Sequence, residues 1–154
     1  MYSNELVINI LNYLDNNINK RITMSELSDE FYYNKDYLMR IFKKELGITI
    51  MDYINKIRIY NSLNEIRSTD DLMIKVALNN GFASQEYFSE TFTKILGVNP
   101  LTYRKFTKIN SQITEDMLDS LRYNLTELSS IIRRIDLYKN NVPTKEVKSL
   151  SFFK

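Results

Sequence analysis

Residues 34–53 and 84–103 carry one pattern twice, at an offset of 50 positions. Asn34 matches Ser84, Asp36 matches Glu86, and Tyr37 matches Tyr87. Phe42 pairs with Phe92, Lys44 with Lys94, Leu46 with Leu96, Gly47 with Gly97 and Tyr53 with Tyr103. Two amphipathic helices share some apolar positions by chance. A capping residue, a terminal glycine and a tyrosine in the same register go beyond that. The chain is therefore expected to fold around two copies of one supersecondary unit.

Each copy reads as a short helix, a tight turn and a capped second helix. Thr23 stands as an N-cap with Glu26 three residues on, a capping-box spacing, and Leu27 and Phe31 give a helix from about Met24 to Tyr32. Asn34 then caps a helix with the stripe Leu38, Ile41, Phe42 and Leu46, ended by Gly47. In the second copy Met73, Val76 and Ala77 mark the short helix, closed by Asn80–Gly81. Ser84 caps its partner, with Phe88, Phe92 and Leu96 on the apolar face and Gly97 at the end. Such a pair is a helix-turn-helix candidate. A preceding helix covers residues 4–18, and Pro100 opens a last short helix through Phe106. Between the copies, Thr49 opens a longer helix to about Arg67, about 18 residues or roughly 27 Å. Successive major-groove faces on one side of a duplex lie about 34 Å apart, so the spacing is compatible with two readers on one DNA.

Only 3 Gly and 2 Pro occur in 154 residues, which favours long helices joined by short turns. The same scarcity excludes glycine-rich phosphate loops. With no cysteine and no histidine, the chain lacks the atoms for Cys/His zinc sites, Ser-His-Asp or Cys-His nucleophile systems, and disulfides. The formal charge is only +2, so a nucleic-acid role rests on where the charges sit. The N-terminus has an amphipathic pattern with Glu5 and Asp15, unlike a signal peptide, and no run of ~18 apolar residues offers a membrane span. A soluble cytoplasmic protein that needs no cofactor is expected.

The string from Gly81 to Lys105, GFASQEYFSETFTKILGVNPLTYRK, closely resembles the AraC/XylS family of bacterial transcription regulators. Gly81, Phe82, Ser84, Tyr87, Phe88, Phe92, Gly97, Pro100, Tyr103 and Arg104 carry the likeness. The string LSDEFYYNKDYLMRIFKKELGITIMDYINKIRI is similar to the family's first helix-turn-helix and linker helix, and the resemblance spans about residues 4–107. It implies an all-α fold, two helix-turn-helix subdomains on one asymmetric double-stranded DNA site, and regulation of transcription. Activation by contact with RNA polymerase is the commonest mode it implies.

On the first recognition helix the face opposite Leu38 and Phe42 carries Lys35, Asp36, Met39, Arg40 and Lys43, beside the cap Asn34. Arg40 has the chemistry for a bidentate guanine contact, and Lys43 and Lys44 suit phosphate. The second helix presents Gln85, Glu86, Ser89, Glu90 and Thr93, with Ser84 at its cap and Lys94 near its end. Gln85 can pair with adenine and a glutamate can accept from cytosine, but Glu86 and Glu90 also repel phosphate. A basic residue is common in the family near Glu90, so the first unit is expected to supply most affinity. Tyr103 is read as a packing residue. Arg104 either meets phosphate or pairs with a carboxylate or a helix end.

Beyond Phe106 the resemblance stops. A fresh helix over residues 113–140 starts at Thr114 and carries Leu118, Leu121, Leu125, Leu128, Ile132 and Ile135 at alternating three- and four-residue steps. That is a coiled-coil seam, and it favours a homodimer over folding back on the chain's own domain or packing on a further domain. Residues 141–154, with Pro143 and the apolar end EVKSLSFFK, read either as the first strand of an effector domain or as a segment packed on the tail helix. The rival to a DNA-binding regulator is a protein-interaction or adaptor module with the same fold, supported by the acidic second helix. An enzyme is a distant third.

Overall fold

A computed structural model describes residues 3–108 and 114–140. Within them the chain forms eight helices and no strand: α1 (Ser3–Asn16), α2 (Met24–Phe31), α3 (Lys35–Leu46), α4 (Ile50–Ser68), α5 (Met73–Asn79), α6 (Gln85–Leu96), α7 (Pro100–Phe106) and α8 (Glu115–Lys139). The repeat appears as α2–α3 and α5–α6. The capping side chains read from the sequence act as such, and Asn99 joins them. Thr23, Asn34, Thr49, Ser84, Asn99 and Thr114 each accept a hydrogen bond from the backbone N–H three residues on. Gly47 and Gly97 end α3 and α6 in the left-handed conformation.

Two cores lie side by side. In the first, Leu6, Ile10, Leu11 and Leu14 of α1 pack on Leu27, on Leu38 and Phe42 of α3, and on Ile50, Tyr53 and Ile54 of α4. The second joins Ile59, Leu63 and Ile66 of α4 to Val76, Phe82, Phe88, Phe92 and Tyr103. Its aromatic rings meet edge to face, with centroids 5.2 Å apart for Phe82–Phe88 and 5.7 Å for both Phe88–Phe92 and Phe92–Tyr103. Helix α4 thus belongs to both units.

Two boundaries differ from expectation. Helix α1 stops at Asn16, where the Asn17 side chain donates back to the Tyr13 carbonyl, yet Ile18 beyond it still reaches the first core. Helix α2 ends at Phe31 because Tyr32 takes a left-handed backbone, φ 59°, and is itself 91% exposed.

Helix α8 turns inward, onto the chain's own domain, the seam on which the expected homodimer through residues 113–140 rests. Leu121 and Leu128 are buried in the second core and Ile135 in the first. Leu125 and Ile132 pack against the second core as well. The apolar stripe is filled by the chain's own two units, so it is not a free seam for a second copy. Polar anchors reinforce the placement. Asn124 Nδ2 donates to the Leu96 carbonyl at 3.0 Å, Arg134 Nη1 donates to the Leu46 carbonyl at 2.9 Å, and Lys139 pairs with Asp15 of α1. The readings made for Ile113 and for residues 141–154 lie outside the described residues.

Candidate nucleic-acid interface

The outer face of α3 is built by elimination. Leu38, Ile41, Phe42 and Leu46 are drawn into the core, so the helical period turns Lys35, Asp36, Met39, Arg40, Lys43 and Lys44 to solvent. All six are exposed. The face carries four cations against one carboxylate. Arg40 lies over the Tyr37 ring, 5.5 Å from its centroid, and that ring stacks in turn on Tyr33 at 5.0 Å. The stack limits how far the guanidinium can wander. Asn34 is exposed but its Oδ1 already accepts from the Tyr37 N–H at 2.8 Å, so its first role is the cap.

Beside this face is a shallow hollow. Asp36, Met39, Arg40, Lys43 and Lys44 form one wall, and Met24 with Thr49, Ile50 and Met51 forms the other. Met39 is 42% and Met51 47% exposed. The surface is therefore an apolar strip flanked by cations.

The corresponding face of α6 has the same register, a different charge and less exposure. Glu86, Glu90, Thr93 and Lys94 are exposed, while Gln85 and Ser89 are half-buried. Ser84 Oγ accepts from the Tyr87 N–H at 3.1 Å and serves as the cap. Two carboxylates face one lysine here. Glu90 and Lys94 also border a groove lined by Tyr123 and Glu127 of α8 and by Asp52 and Lys56 of α4.

Arg104 is not part of either face. Its Nε donates to the Ile66 carbonyl at 2.9 Å, near the end of α4. The helix-end alternative is the one realised, because the last carbonyls of a helix lack intrahelical donors. Tyr103 is buried, as read.

Sequence reasoning missed the residues that hold the two faces in relation to each other. Arg58, 7% exposed, donates from Nε to the Ile18 carbonyl at 2.8 Å and from Nη2 to the Lys20 carbonyl at 2.7 Å. Its guanidinium also lies 5.9 Å from the Phe82 ring centroid. One side chain of α4 thereby ties the α1–α2 loop of the first unit to the turn of the second. Burial lowers its pKa, an effect that the neighbouring Tyr87 hydroxyl partly offsets. Asn55 of α4 makes a similar link, its Nδ2 donating to the Tyr87 hydroxyl at 3.0 Å. The available signal was a charged residue inside an apolar helix, which by itself names no partner.

Among the described residues there is no cluster of acidic side chains arranged to hold a metal ion, and no helix is long and apolar enough to cross a membrane.

Comparison with known proteins follows the same outline. A family described as a helix-turn-helix domain matches residues 27–105. The HTH-type transcriptional activator AarP of Providencia stuartii is 29% identical over 103 residues, covering 67% of this chain and 76% of that protein. The HTH-type transcriptional regulator YbfP of Bacillus subtilis (strain 168) is 32% identical over 108 residues, and the match takes in 70% of this chain but 37% of that protein. Among solved structures, the C-terminal domain of AraT, a response regulator from Geobacillus stearothermophilus, superposes with a TM-score of 0.63 at 27% identity, covering 71% of this chain and 91% of that one.

Proposed function

This chain belongs to the AraC-type helix-turn-helix family of transcription regulators, and on that premise we propose that α3 and α6 read adjacent major-groove segments of one DNA site. The observation that carries this reading is the pair of capped helices in identical register, each with its apolar face buried and its polar face exposed. Helix α4, at 19 residues, spans about 28 Å, close to one turn of the duplex.

In this reading Arg40 pairs with guanine, Met39 lies against a thymine methyl, and Lys43 and Lys44 meet phosphate. Lys35 and Asp36 sit at the entering end of α3, beside the cap Asn34. On α6, Gln85 and Ser89 read base edges, with Glu86, Glu90 and Thr93 facing the groove and Lys94 the backbone. The acidic pair makes this the weaker half. The regulator acts in the cytoplasm, as an activator that brings RNA polymerase to the promoter. The name of the Providencia relative supports activation.

A gel shift across a salt series tests the core of the proposal. Affinity for duplex should fall steeply with salt, and Lys43→Ala and Lys44→Ala should each flatten the log–log slope by up to about one unit. Binding that ignores salt would favour a protein-interaction module, the reading that Glu86 and Glu90 otherwise support.

A further inference from the structure

Helix α8 lies beyond the segment shared with the helix-turn-helix family, yet it touches both recognition helices at equivalent points. Leu46 and Leu96 are the last residues of α3 and α6, fifty positions apart and in the same place in the repeat. Their carbonyls are left open where each helix ends. Asn124 takes one and Arg134 takes the other. The two donors are ten residues apart on one continuous helix, a separation of about 15 Å along its axis.

We propose that α8 is a strut that fixes the separation and relative facing of the two recognition helices, and so makes the chain selective for the spacing between its two half-sites. The inference rests on the reading of α3 and α6 as the DNA-facing helices. Without α8 the units are joined by α4, by the links of Arg58 and Asn55 and by the close approach of Gly81 to the Ile18 carbonyl, all beside one rod. A single helix resists stretching well but twists and bends more readily. A second helix alongside it, pinned in each unit by buried Leu121, Leu128 and Ile135, turns the rod into a beam. Moving one half-site by a single base pair displaces its target by about 3.4 Å and rotates it by about 34°. A braced pair of readers cannot follow that change without losing the bonds to Leu46 and Leu96.

The absence of cysteine makes the test clean. Glu30→Cys on α2 and Lys75→Cys on α5, both at exposed positions, take one spin label each in the full chain. The label-to-label distance distribution should be narrow, and it should broaden when Asn124→Ala and Arg134→Ala are added. Asn124→Ala alone, which keeps the Arg134 anchor, should broaden it less. In parallel, the full chain and the double variant each select from a randomised duplex library. The full chain should enrich two motifs at one separation. The variant should enrich the same two motifs at neighbouring separations as well, and their retention reports that both units remain folded. Unchanged distance widths in both variants, or a single separation kept by the double variant, overturns the strut. Enrichment of no motif by the full chain overturns the DNA reading and the spacing role with it, while the label distances still report whether α8 braces the two units.

Discussion

At the scale of single residues, two positions show how differently a side chain can matter here. Arg40 is exposed, held over Tyr37, and free to meet a partner. Arg40→Ala should cost about 1–3 kcal/mol of specific DNA affinity and relax preference at one base position. Binding measured on duplexes varied one position at a time checks this. An equal loss on every sequence would move Arg40 from base to phosphate. Gly81 works through the backbone. Its φ is +87°, and a Cβ there would sit 2.6 Å from the Ile18 carbonyl oxygen and 2.7 Å from Arg58 Nε. It stands where the first unit, the linker helix and the second unit converge. Gly81→Ala should therefore destabilise the fold by at least about 1–2 kcal/mol, from the left-handed backbone alone. Denaturant unfolding reads this directly, and a midpoint equal to that of the unsubstituted chain would contradict it.

At the scale of elements, the two recognition helices share a register and differ in charge. Both caps accept the same backbone bond and both helices end at a left-handed glycine, so the difference in charge lies on the exposed face. The Glu90→Arg substitution removes a negative charge and adds a positive one on the outward side of α6, where it need not disturb the Phe88–Phe92 packing. It should strengthen duplex binding, most at low salt. Weaker binding would identify Glu90 as a base contact in its own right. The linker helix shows why a single periodicity could not describe it. Ile54 faces the first core and Ile59 the second. Five residues rotate the helix by about 500°, so the buried face shifts by about 140° between them. The stripe Ile50, Tyr53, Ile54, Ile57, Leu63 and Ile66 is real in part. Ile57 is half-buried, and Arg58, Ile59 and Ser62 are buried in addition.

At the scale of the whole molecule, α1, α4 and α8 meet at one carboxylate. Asp15 accepts from the Tyr53 hydroxyl at 2.6 Å and pairs with Lys139. Burial, and then the bond to Asp15, raise the Tyr53 hydroxyl above its ordinary value. For Lys139 burial acts to lower the pKa, but Asp15 and Asp136 outweigh it and the ammonium titrates above its ordinary value. Both shifts favour the protonated form in the folded chain. Their contribution to stability is complete below the unfolded values, near about 10, and is lost as pH rises through the folded ones. The melting temperature should hold to about pH 9 and fall above about pH 10. Asp15→Asn should flatten that alkaline fall. Parallel profiles for the two chains would show that the cluster does not couple the three helices.

Element type, order and caps were legible in the sequence, because they depend on contacts within a few residues. Thr23, Asn34, Thr49, Ser84 and Thr114 each satisfy a donor three positions away, and Gly47 and Gly97 supply the backbone that ends a helix. The repeat then implied two equivalent units, and the apolar stripe of α3 defined its exposed face by subtraction. Tertiary structure decided the rest. A seam of leucines and isoleucines on α8 has the same period whether its partner is a second copy or its own domain, since apolar burial is not directional. What distinguishes the two is the set of open carbonyls at Leu46 and Leu96, placed within reach of Asn124 and Arg134 only once both units have folded. Arg104 and Arg58 follow the same logic. For Arg104 the sequence leaves phosphate, a carboxylate and a helix end open, and for Arg58 it names no partner; each is held by carbonyls some forty residues away in the chain.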